Sequence, residues 1–483
     1  MLDLTLLDIL EISKSSFKLD KKYYNNKISK FSIHVDNLST NDLYFHWRVG
    51  EESLLFIDKA LKKGAFVITS EEKYKKIELD GSKIIYVPSV KKILLKLAQY
   101  KRSVFDGEVV AITGSVGKSS IKNMLSMILS MNAHVIYTVG NENAWLGIYC
   151  ALCNINQKTK YVVLETGASG LGTLSTPIKV VSPTISVLLD INFSHQGKYP
   201  TIEDLIFEKA SIIGALRLKG KLIISYNTLN MLRNLKYVIR EDIHVISIGD
   251  GADISILRNN LGKRNSTVDV SFHGELVKLK IPQGNIADLI NAVYVFAVLN
   301  NFGINFIKFN ALSSFYRPLP RRFDRSRIGY KENLTFELID DAYNSSPISI
   351  QSLLESIEIR EVQEKILILG DMLELGMDSV KLHQSILENQ LLNQFSKIIL
   401  IGEIFSQCEK SDAMQSFLNV DQFIGSINDY ISDGCLLVLK ASHGINLYKL
   451  RNFFDKEAIS VQKNIDWFVE DEAYNLYSKQ NTI

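Results

Sequence analysis

Short apolar runs alternate with helical patterns along the chain from about residue 105 onward. The strand-like runs are residues 161–164, 184–191, 221–225, 365–369, 398–401 and 436–439. Between them, apolar side chains recur at helical spacing, as they do over residues 202–216. Alternation of this kind is typical of parallel sheets covered by helices. The pattern therefore predicts an α/β fold with mostly parallel sheets.

The length of 483 residues and the breaks in this pattern predict three domains. A small N-terminal α/β domain is expected over residues 1–102 and a central domain over residues 103–318. A second α/β domain, ending in a short tail, is expected over residues 319–483. The chain enters it through residues 317–322, a segment of prolines and arginines.

A glycine-rich turn joins a predicted strand to a predicted helix at residues 111–120. Backbone N–H groups of such a turn can close on an anion, while the helix N-terminus and Lys118 add positive charge. Ser119 offers a hydroxyl to Mg²⁺. The usual distant glycine is Ile112 here, so the loop is a shorter form. We expect it to bind the phosphates of ATP or GTP through Gly114, Ser115, Val116, Gly117, Lys118, Ser119 and Ser120; an ordinary turn is the alternative.

Two further apolar runs end in residues that suit a metal ion. Glu165 follows the run 161–164, and ligands of open α/β sheets bind at the carboxyl ends of strands. An exposed carboxylate at a strand end is the alternative. His195 follows the run 184–191, and it is either a metal ligand beside Glu165 and Ser119 or a hydrogen-bonded loop histidine.

Lys209 interrupts the apolar stripe of the helix predicted over residues 202–216. Lysine is rarely buried without a partner. A desolvated lysine loses its proton more readily, and the neutral amine can add carbon dioxide to form a carbamate that holds a metal. Alternatively, Lys209 extends to solvent from the edge of the stripe. Periodicity alone favours this second interpretation.

Acidic residues follow two strands of the predicted C-terminal domain. Asp340 and Asp341 end the run 336–339, and Pro347 is expected to open the next helix. These acids are a candidate metal or ribose site, or a charge cluster at a helix N-terminus. The loop 370–376 repeats the arrangement after another strand. Two such loops indicate that this edge of the sheet faces a ligand.

Composition and charge exclude several classes of protein. A formal net charge of +2 provides no field for nucleic acid or membrane surfaces. No apolar stretch reaches the roughly 18–20 residues that span a bilayer, and we expect no signal peptide. Four cysteines are too few for a disulfide scaffold. Cys150 and Cys153 lie in an apolar helical pattern, which favours buried thiols over an exposed redox pair. We therefore expect a cytoplasmic protein.

The ordered set of motifs over roughly residues 35–450 resembles the Mur ligase family. The elements that carry the resemblance are Thr-Gly-x-x-Gly-Lys-Ser at 113–119, the segment 138–147, Glu165-Thr-Gly-Ala, the segment 192–195, Lys209, the arginines ending at Arg322, Asp-Asp-Ala-Tyr-Asn at 340–344, and Gly-Asp-Met-Leu-Glu-Leu-Gly at 370–376 followed by His383. The last two favour the branch of the family that adds D-alanyl-D-alanine.

The resemblance implies an acceptor-binding N-terminal domain, a central P-loop ATPase domain and a C-terminal Rossmann-like domain. It also implies an ADP-forming carbon–nitrogen ligase of peptidoglycan synthesis. ATP would phosphorylate a substrate carboxylate, and an amine would displace the phosphate to leave an amide. Phosphoryl transfer between anions requires metal and cationic charge to offset their repulsion.

The family's residue roles are carried over only to matching positions. The resemblance implies that Lys118 holds the β- and γ-phosphates and that Ser119 binds a first Mg²⁺. A second Mg²⁺ would bind Glu165 and His195, assisted by a carbamylated Lys209, which reverses the preference from periodicity. The remaining implied roles are adenine for Asn291, the γ-phosphate or hinge for Arg322, the ribose or closing interface for Asp341, and substrate binding for Asn141, Asn143, Tyr343 and Asn344.

The chain also departs from the family. The N-terminal Asp-Ser-Arg element is Asp36-Asn37-Leu38 here, so the arginine that helps to hold a nucleotide-sugar is missing. The usual Lys-Gly-Ser-Arg element begins at Lys440 and ends at His443. Three functions stay open: the family's cell-wall ligase, the same chemistry on a non-muramoyl acceptor, and a non-catalytic nucleotide-binding partner. We expect a monomer that acts on small molecules, a nucleotide-sugar or peptide carboxylate and an amino acid or dipeptide amine, without nucleic acid.

Overall fold

The computed structural model describes residues 2–14, 20–70, 83–191, 198–262, 265–282, 284–331, 334–358, 362 and 364–463. These residues form three β-sheets, which follow one another along the chain. Helices pack on each sheet, so the described part of the chain has the predicted α/β class.

The N-terminal sheet has four parallel strands in the order β1-β2-β3-β4. Its strands are β1 (Phe31–Ser32), β2 (Leu43–His46), β3 (Phe66–Thr69) and β4 (Ile84–Tyr86). The accompanying helices are α1 (Leu6–Ser13), α2 (Leu54–Lys62) and α3 (Val90–Ser103). Helix α3 packs on the central part of the chain, so this sheet is held close to the centre of the molecule.

The central sheet has nine strands in the order β13-β12-β11-β10-β9-β8-β5-β7-β6. They are β5 (Glu108–Thr113), β6 (His134–Tyr137), β7 (Thr159–Glu165), β8 (Ile185–Leu188), β9 (Lys221–Ser225), β10 (His244–Gly249), β11 (Ile254–Asn260), β12 (Asn265–Phe272) and β13 (Glu275–Pro282). Only the pairs β11–β12 and β12–β13 are antiparallel among these described strands. The helices are α4 (Lys118–Ser130), α5 (Trp145–Cys153), α6 (Pro177–Val181), α7 (Ile202–Gly214), α8 (Tyr226–Asn234), α9 (Ile286–Asn300) and α10 (Phe306–Ser313).

The C-terminal sheet has seven strands in the order β18-β17-β16-β19-β15-β14-β20. They are β14 (Asp324–Tyr330), β15 (Thr335–Asp340), β16 (Lys365–Gly370), β17 (Lys397–Ile401), β18 (Met414–Phe417), β19 (Leu436–Lys440) and β20 (Ala458–Lys463). Strand β14 is antiparallel to both of its neighbours, and the other described pairs are parallel. The helices are α11 (Pro347–Glu358), α12 (Ser379–Leu387), α13 (Glu403–Ser406), α14 (Val420–Ser426) and α15 (Tyr448–Glu457).

The central strand β5 shows why these runs are continuously apolar. Val109 and Ala111 belong to the hydrophobic core on one face of the sheet, together with residues of α5 and α7. Val110 and Ile112 belong to the core on the other face, together with residues of α4 and α9. A parallel strand that is covered on both faces must be apolar at successive positions. This burial fixes the strand that leads into the glycine-rich turn.

Local signals start the helices that flank the site. Thr201 and Asp204 form a capping box at the start of α7, and Asn285 and Asp288 form another at the start of α9. Pro347 is the first residue of α11, as predicted from its fixed φ angle. The two capping boxes fix the starts of α7, which carries Lys209, and α9, which carries Asn291.

The structure confirms the predicted fold class, including a mostly parallel central sheet. The strand expected over residues 184–191 is shorter, because it ends at Leu188. Beyond it, Leu189 donates its N–H to the Thr113 carbonyl, and the Asp190 carbonyl accepts from the Ser115 N–H, both at 2.9 Å. The chain therefore leaves the sheet to support the turn after β5. The domain boundaries at residues 102 and 318 stay predictions, and most of the tail lies outside the described residues.

The four cysteines are free and buried, which confirms the buried-thiol interpretation of Cys150 and Cys153. Burial raises the pKa of the Cys153 thiol to about 12, so the reactive thiolate is disfavoured. Among the described residues, no helix combines the length and apolar character that crossing a bilayer requires.

Candidate nucleotide-binding site

The glycine loop, residues 114–117, joins β5 to α4 at the carboxyl edge of the central sheet. Gly114 and Gly117 have φ angles of +149° and +92°, which side chains rarely adopt. A Cβ on Gly114 would lie 2.5 Å from Leu189 Cβ, and one on Gly117 would lie 2.6 Å from Asn291 Oδ1. Both positions therefore require glycine, and the predicted strand–loop–helix arrangement is confirmed.

Lys118 begins α4, and its side chain folds over the glycine loop. Its Nζ donates to the carbonyls of Gly114 at 2.8 Å and Ser115 at 3.0 Å. Burial lowers the pKa of Lys118, and the nearby Glu165 carboxylate partly opposes that effect. No side chain caps the first turn of α4, so its backbone N–H groups face the same region as the ammonium group. The arrangement suits an anion.

Glu165 ends β7, where the register places it directly beside Ile112 of β5. The side chain is 2% exposed, so the alternative of an exposed carboxylate is wrong. Its Oε1 accepts from Asn143 Nδ2 at 2.9 Å. Its Oε2 is buried and has no hydrogen-bond partner, although Lys122 Nζ lies 3.7 Å away. A buried carboxylate oxygen without a hydrogen bond is suited to a cation.

Lys209 lies on α7 and is also 2% exposed, so the expectation that it reaches solvent is wrong. Its Nζ donates to the Gly114 carbonyl at 2.9 Å, beneath the glycine loop. Burial, together with the charge of Lys118, lowers the pKa of Lys209 well below its ordinary value. The central sheet and the helices on it surround this side chain, which periodicity alone does not reveal. The amine is therefore held close to the loop in an environment that favours its neutral form.

Arg322 lies between α10 and β14 and contacts the first turn of α4, directly after the glycine loop. Its Nη2 donates to Ser119 Oγ at 3.0 Å. Its Cζ lies 4.2 Å from the centre of the Tyr343 ring, in a cation–π contact. The structure therefore brings together two residues that are 203 positions apart in the chain.

The basic side chains Lys118, Lys209 and Arg322 lie at the glycine loop and the start of α4, and Lys122 lies one turn further along the helix, beside Glu165 and near Glu142. Burial is the largest cause of the lowered pKa values of the three lysines, and repulsion from neighbouring cations adds to it. The charges of Lys118 and Arg322 lie beside the loop, where an anionic ligand would neutralise them. This cluster favours a phosphate site over an ordinary strand-to-helix turn.

Asp341 follows β15 and makes two contacts. Its Oδ2 accepts from Lys440 Nζ at 2.6 Å, and its Oδ1 accepts from the Phe323 N–H at 3.0 Å. Because Phe323 follows Arg322, the Asp341 carboxylate fixes the segment that carries the guanidinium. Because Asp341 is paired with Lys440, it does not form a free acidic cluster at the N-terminus of α11. Ribose binding by Asp341 stays a prediction.

The predicted substrate-binding residues lie in two groups. Asn141 and Asn143 are in the 138–144 loop, which joins β6 to α5; Asn141 is exposed, whereas Asn143 contacts Glu165. Tyr343 packs against Arg322, and the neighbouring Asn344 is exposed. Only Asn143 and Tyr343 therefore touch residues of the nucleotide site directly.

The donors available for Mg²⁺ are hydroxyl and carboxylate oxygens, which hard cations prefer. Ser119 Oγ lies at the glycine loop, and Glu165 Oε2 is the buried oxygen without a hydrogen bond. These residues fit the ion. Within the described ranges, no three histidine, cysteine, aspartate or glutamate residues cluster to hold a metal. His195, the third predicted ligand, lies outside the described residues.

Comparison with known proteins identifies a family for the central part of the chain. Residues 112–299 match the family model of the Mur ligase middle domain, a range that runs from β5 to α9. The UDP-N-acetylmuramoyl-tripeptide–D-alanyl-D-alanine ligase of Rickettsia prowazekii is 26% identical over 440 residues, covering 88% of this chain and 95% of that protein. Residues 112–299 of this chain are therefore a Mur ligase middle domain.

Solved structures share the fold of this chain along most of its length. MurF from Acinetobacter baumannii has a TM-score of 0.77 at 19% identity, covering 94% of this chain and 99% of that chain. MurF from Thermotoga maritima, solved with ADP, has a TM-score of 0.71 at 23% identity, covering 89% and 97%. At this identity the similarity shows the fold.

Two contacts at this site were not predicted from the sequence. Lys122 lies next to Glu165, and Lys440 pairs with Asp341. Lys122 is one helical turn after Lys118, inside the apolar stripe of Ile121, Met124 and Leu125. A lysine within an apolar stripe was the signal that singled out Lys209, and the same signal was present at Lys122.

Replacing Arg322 by methionine is expected to lower the rate of ADP formation by about 10²-fold, because one fixed cation beside the phosphate loop is lost. The rate is measured by coupling ADP release to NADH oxidation. Arg258→Met, on exposed β11, is the matched control. Arg322→Lys should recover part of the loss, and a wild-type rate for Arg322→Met would show that Arg322 has no part in the reaction.

Proposed function

We propose that this chain is a Mur ligase, which uses ATP to phosphorylate a substrate carboxylate and then couples the acyl group to an amine, releasing ADP and phosphate. The observation that carries the proposal is the set of basic side chains at the glycine loop and the start of α4, Lys118, Lys209 and Arg322, beside the buried Glu165. A ligase of this kind must hold a triphosphate and an acidic substrate together, which requires such charge.

The chemistry explains why the site needs this charge. A carboxylate is a poor electrophile, so the γ-phosphoryl group of ATP converts it into an acyl phosphate with a good leaving group. Attack by the amine on the acyl carbon forms the amide bond and expels inorganic phosphate. Lys118 and Arg322 would hold the phosphoryl group between two anions, and the glycine loop would orient it. Mg²⁺, when bound, neutralises phosphate charge.

The proposed ligands of two Mg²⁺ ions are Ser119 for one and Glu165 with His195 for the other. We propose that Lys209 carries a carbamate, because its lowered pKa leaves a neutral amine that can add carbon dioxide. The carbamate would turn a buried amine into an anion beside the loop. Asn291 contacts Gly117, which supports its place next to the nucleotide.

We propose UDP-N-acetylmuramoyl-tripeptide as the acceptor and D-alanyl-D-alanine as the amine, in peptidoglycan synthesis. Relatives that align over most of the chain are named for this reaction, including those of Rickettsia prowazekii and Borreliella burgdorferi. The 138–144 loop, with Asn143 on Glu165, would receive the acceptor carboxylate. The substrates are small molecules, the site of the reaction would be the cytoplasm, and a monomer suffices for it.

A second candidate is the same chemistry on a different acceptor. Leu38 occupies the position of the family's arginine, and it is 6% exposed within the core on α2 and the N-terminal sheet. A buried leucine offers a nucleotide-sugar no charge. Recognition of the acceptor in the N-terminal domain therefore differs from the family pattern, which leaves a non-muramoyl acceptor as the alternative.

The deciding experiment is an assay of ADP release with UDP-N-acetylmuramoyl-tripeptide, D-alanyl-D-alanine, ATP and Mg²⁺. We expect release only when all components are present, together with a pentapeptide product in the mass spectrum. The control reactions each omit one substrate. If the complete mixture forms no product while other carboxylates stimulate ADP release, the second candidate replaces the first.

A further inference from the structure

The first two turns of α4 face two different loops. Lys118, in the first turn, contacts the glycine loop, and Ser119 accepts from Arg322. Lys122 lies four residues after Lys118 and therefore on the same side of the helix, one turn further along. It contacts the 138–144 loop, on the other side of the site. The helix thus connects the proposed nucleotide and acceptor sides.

Lys122 is 3% exposed and has two polar neighbours. Its Nζ donates to the Gly140 carbonyl at 2.6 Å. The same Nζ lies 3.7 Å from Glu165 Oε2, the oxygen that has no hydrogen bond. The other oxygen of Glu165 accepts from Asn143, which belongs to the same loop as Gly140. One buried ammonium group therefore lies between a loop carbonyl and the carboxylate that this loop also holds.

The loop needs such a support. Residues 138–144 follow β6, an edge strand that has only β7 beside it in the sheet. Gly140 has a φ of +52°, and no atom lies within 4 Å of where its Cβ would be, so packing does not hold this point of the loop. The bond from Lys122 to the Gly140 carbonyl fixes it instead.

We infer that Lys122 is a positioning residue that holds the 138–144 loop and Glu165 in a common arrangement for the acceptor, an inference that rests on the proposed function. The ammonium group of Lys122 is directed to Gly140 and Glu165 and not to the glycine loop, so we expect it to make no contact with ATP. Loss of Lys122 should therefore weaken the use of the acceptor much more than the binding of nucleotide.

The test compares Lys122→Met, which keeps the length of the side chain, with Lys122→Arg, which keeps the charge. Lys160→Met is the matched control, because Lys160 is exposed on β7, the strand that carries Glu165. We expect Lys122→Met to lower kcat/KM for the acceptor by about tenfold or more, the loss that follows removal of a buried charged hydrogen bond. The KM for ATP should change by less than about twofold, and Lys122→Arg should recover most of the loss.

A second readout needs no turnover. Trp145 is the first residue of α5, directly after the loop, and the chain has three tryptophans. In a Trp47→Phe/Trp467→Phe background, Trp145 is the only tryptophan, and acrylamide quenching reports its exposure. Lys122→Met should raise the quenching constant above that of Lys160→Met, and Lys122→Arg should restore it. Lys122→Gln takes the place of Lys122→Met if the methionine variant fails to fold.

An acceptor kcat/KM within twofold of the Lys160→Met value, an equal rise in the KM for ATP, or unchanged quenching of Trp145 would each overturn the inference. If the wild-type protein shows no acceptor-dependent ADP release, the proposed function fails. The quenching comparison then decides by itself whether Lys122 holds the loop.

Discussion

Lys118→Ala is expected to abolish ADP formation to within the detection limit, a loss of at least about 10³-fold. The Lys118 ammonium group is bonded to two carbonyls of the glycine loop, and it therefore lies where the loop would hold a phosphate chain. Without it, the transferred phosphoryl group meets an anionic carboxylate with less charge to offset the repulsion. The rate is measured as ADP release, and nucleotide affinity is measured by calorimetry.

The matched control is Lys160→Ala, which removes an exposed lysine from the neighbouring strand β7 and should keep the wild-type rate. Circular dichroism checks that both variants fold. ADP formation by Lys118→Ala at the wild-type rate would remove the glycine loop from the reaction, and with it the central part of the proposed function.

Lys209→Ala is expected to reduce ADP formation by about 10²–10³-fold, because the proposed carbamate, an anion that would assist metal binding, is lost from beside the loop. Short carboxylic acids such as acetate should restore part of the activity, since a free carboxylate can occupy the place of the carbamate. Acetate should not restore Lys118→Ala, whose defect is a missing cation. Wild-type activity of Lys209→Ala without any addition would exclude Lys209 from the mechanism.

The stability of a Lys209→Met variant separates function from folding. Burial lowers the pKa of Lys209 in the folded state well below that in the unfolded state. Unfolding therefore takes up a proton at neutral pH, so wild-type stability rises with pH until it passes the pKa of unfolded lysine. Lys209→Met removes the free-energy cost of burying this amine, so the melting temperature of the variant at neutral pH should not fall below that of the wild type. An inactive but stable variant would locate the defect in the site.

Local elements of the fold were predictable because their signals are local. The strand, glycine turn and helix at residues 108–130 follow from apolar spacing, two glycines and a helical stripe that are adjacent in the chain. Pro347 predicted the start of α11 for the same kind of reason. The strand over 184–191 was overextended: it ends at Leu188, after which Leu189 bonds to the last residue of β5 and Asp190 bonds to the glycine loop.

The environment of single charged residues was harder to predict. Periodicity placed Lys209 in an apolar stripe but favoured the solvent-exposed edge, and the structure buries it. Lys440 was noted only as the first residue of an altered family element, and the structure bonds its ammonium group to Asp341. For both lysines, the residues that bury the side chain and bond to it come from elements distant in sequence. The position of a lysine on its own helix or strand is therefore not enough to predict its environment.

The sequence by itself determined the α/β class, the glycine loop and the kind of chemistry that a lysine, a serine and nearby acids can perform. Spacing along a strand or helix decides which face is apolar, and glycine decides where the backbone can turn, so these features need no tertiary contact. Only the tertiary structure decided that Arg322 reaches Ser119 and that Lys122 reaches Glu165. Those distances depend on the order of the strands in the sheet and on how the sheets pack, which no short stretch of sequence contains.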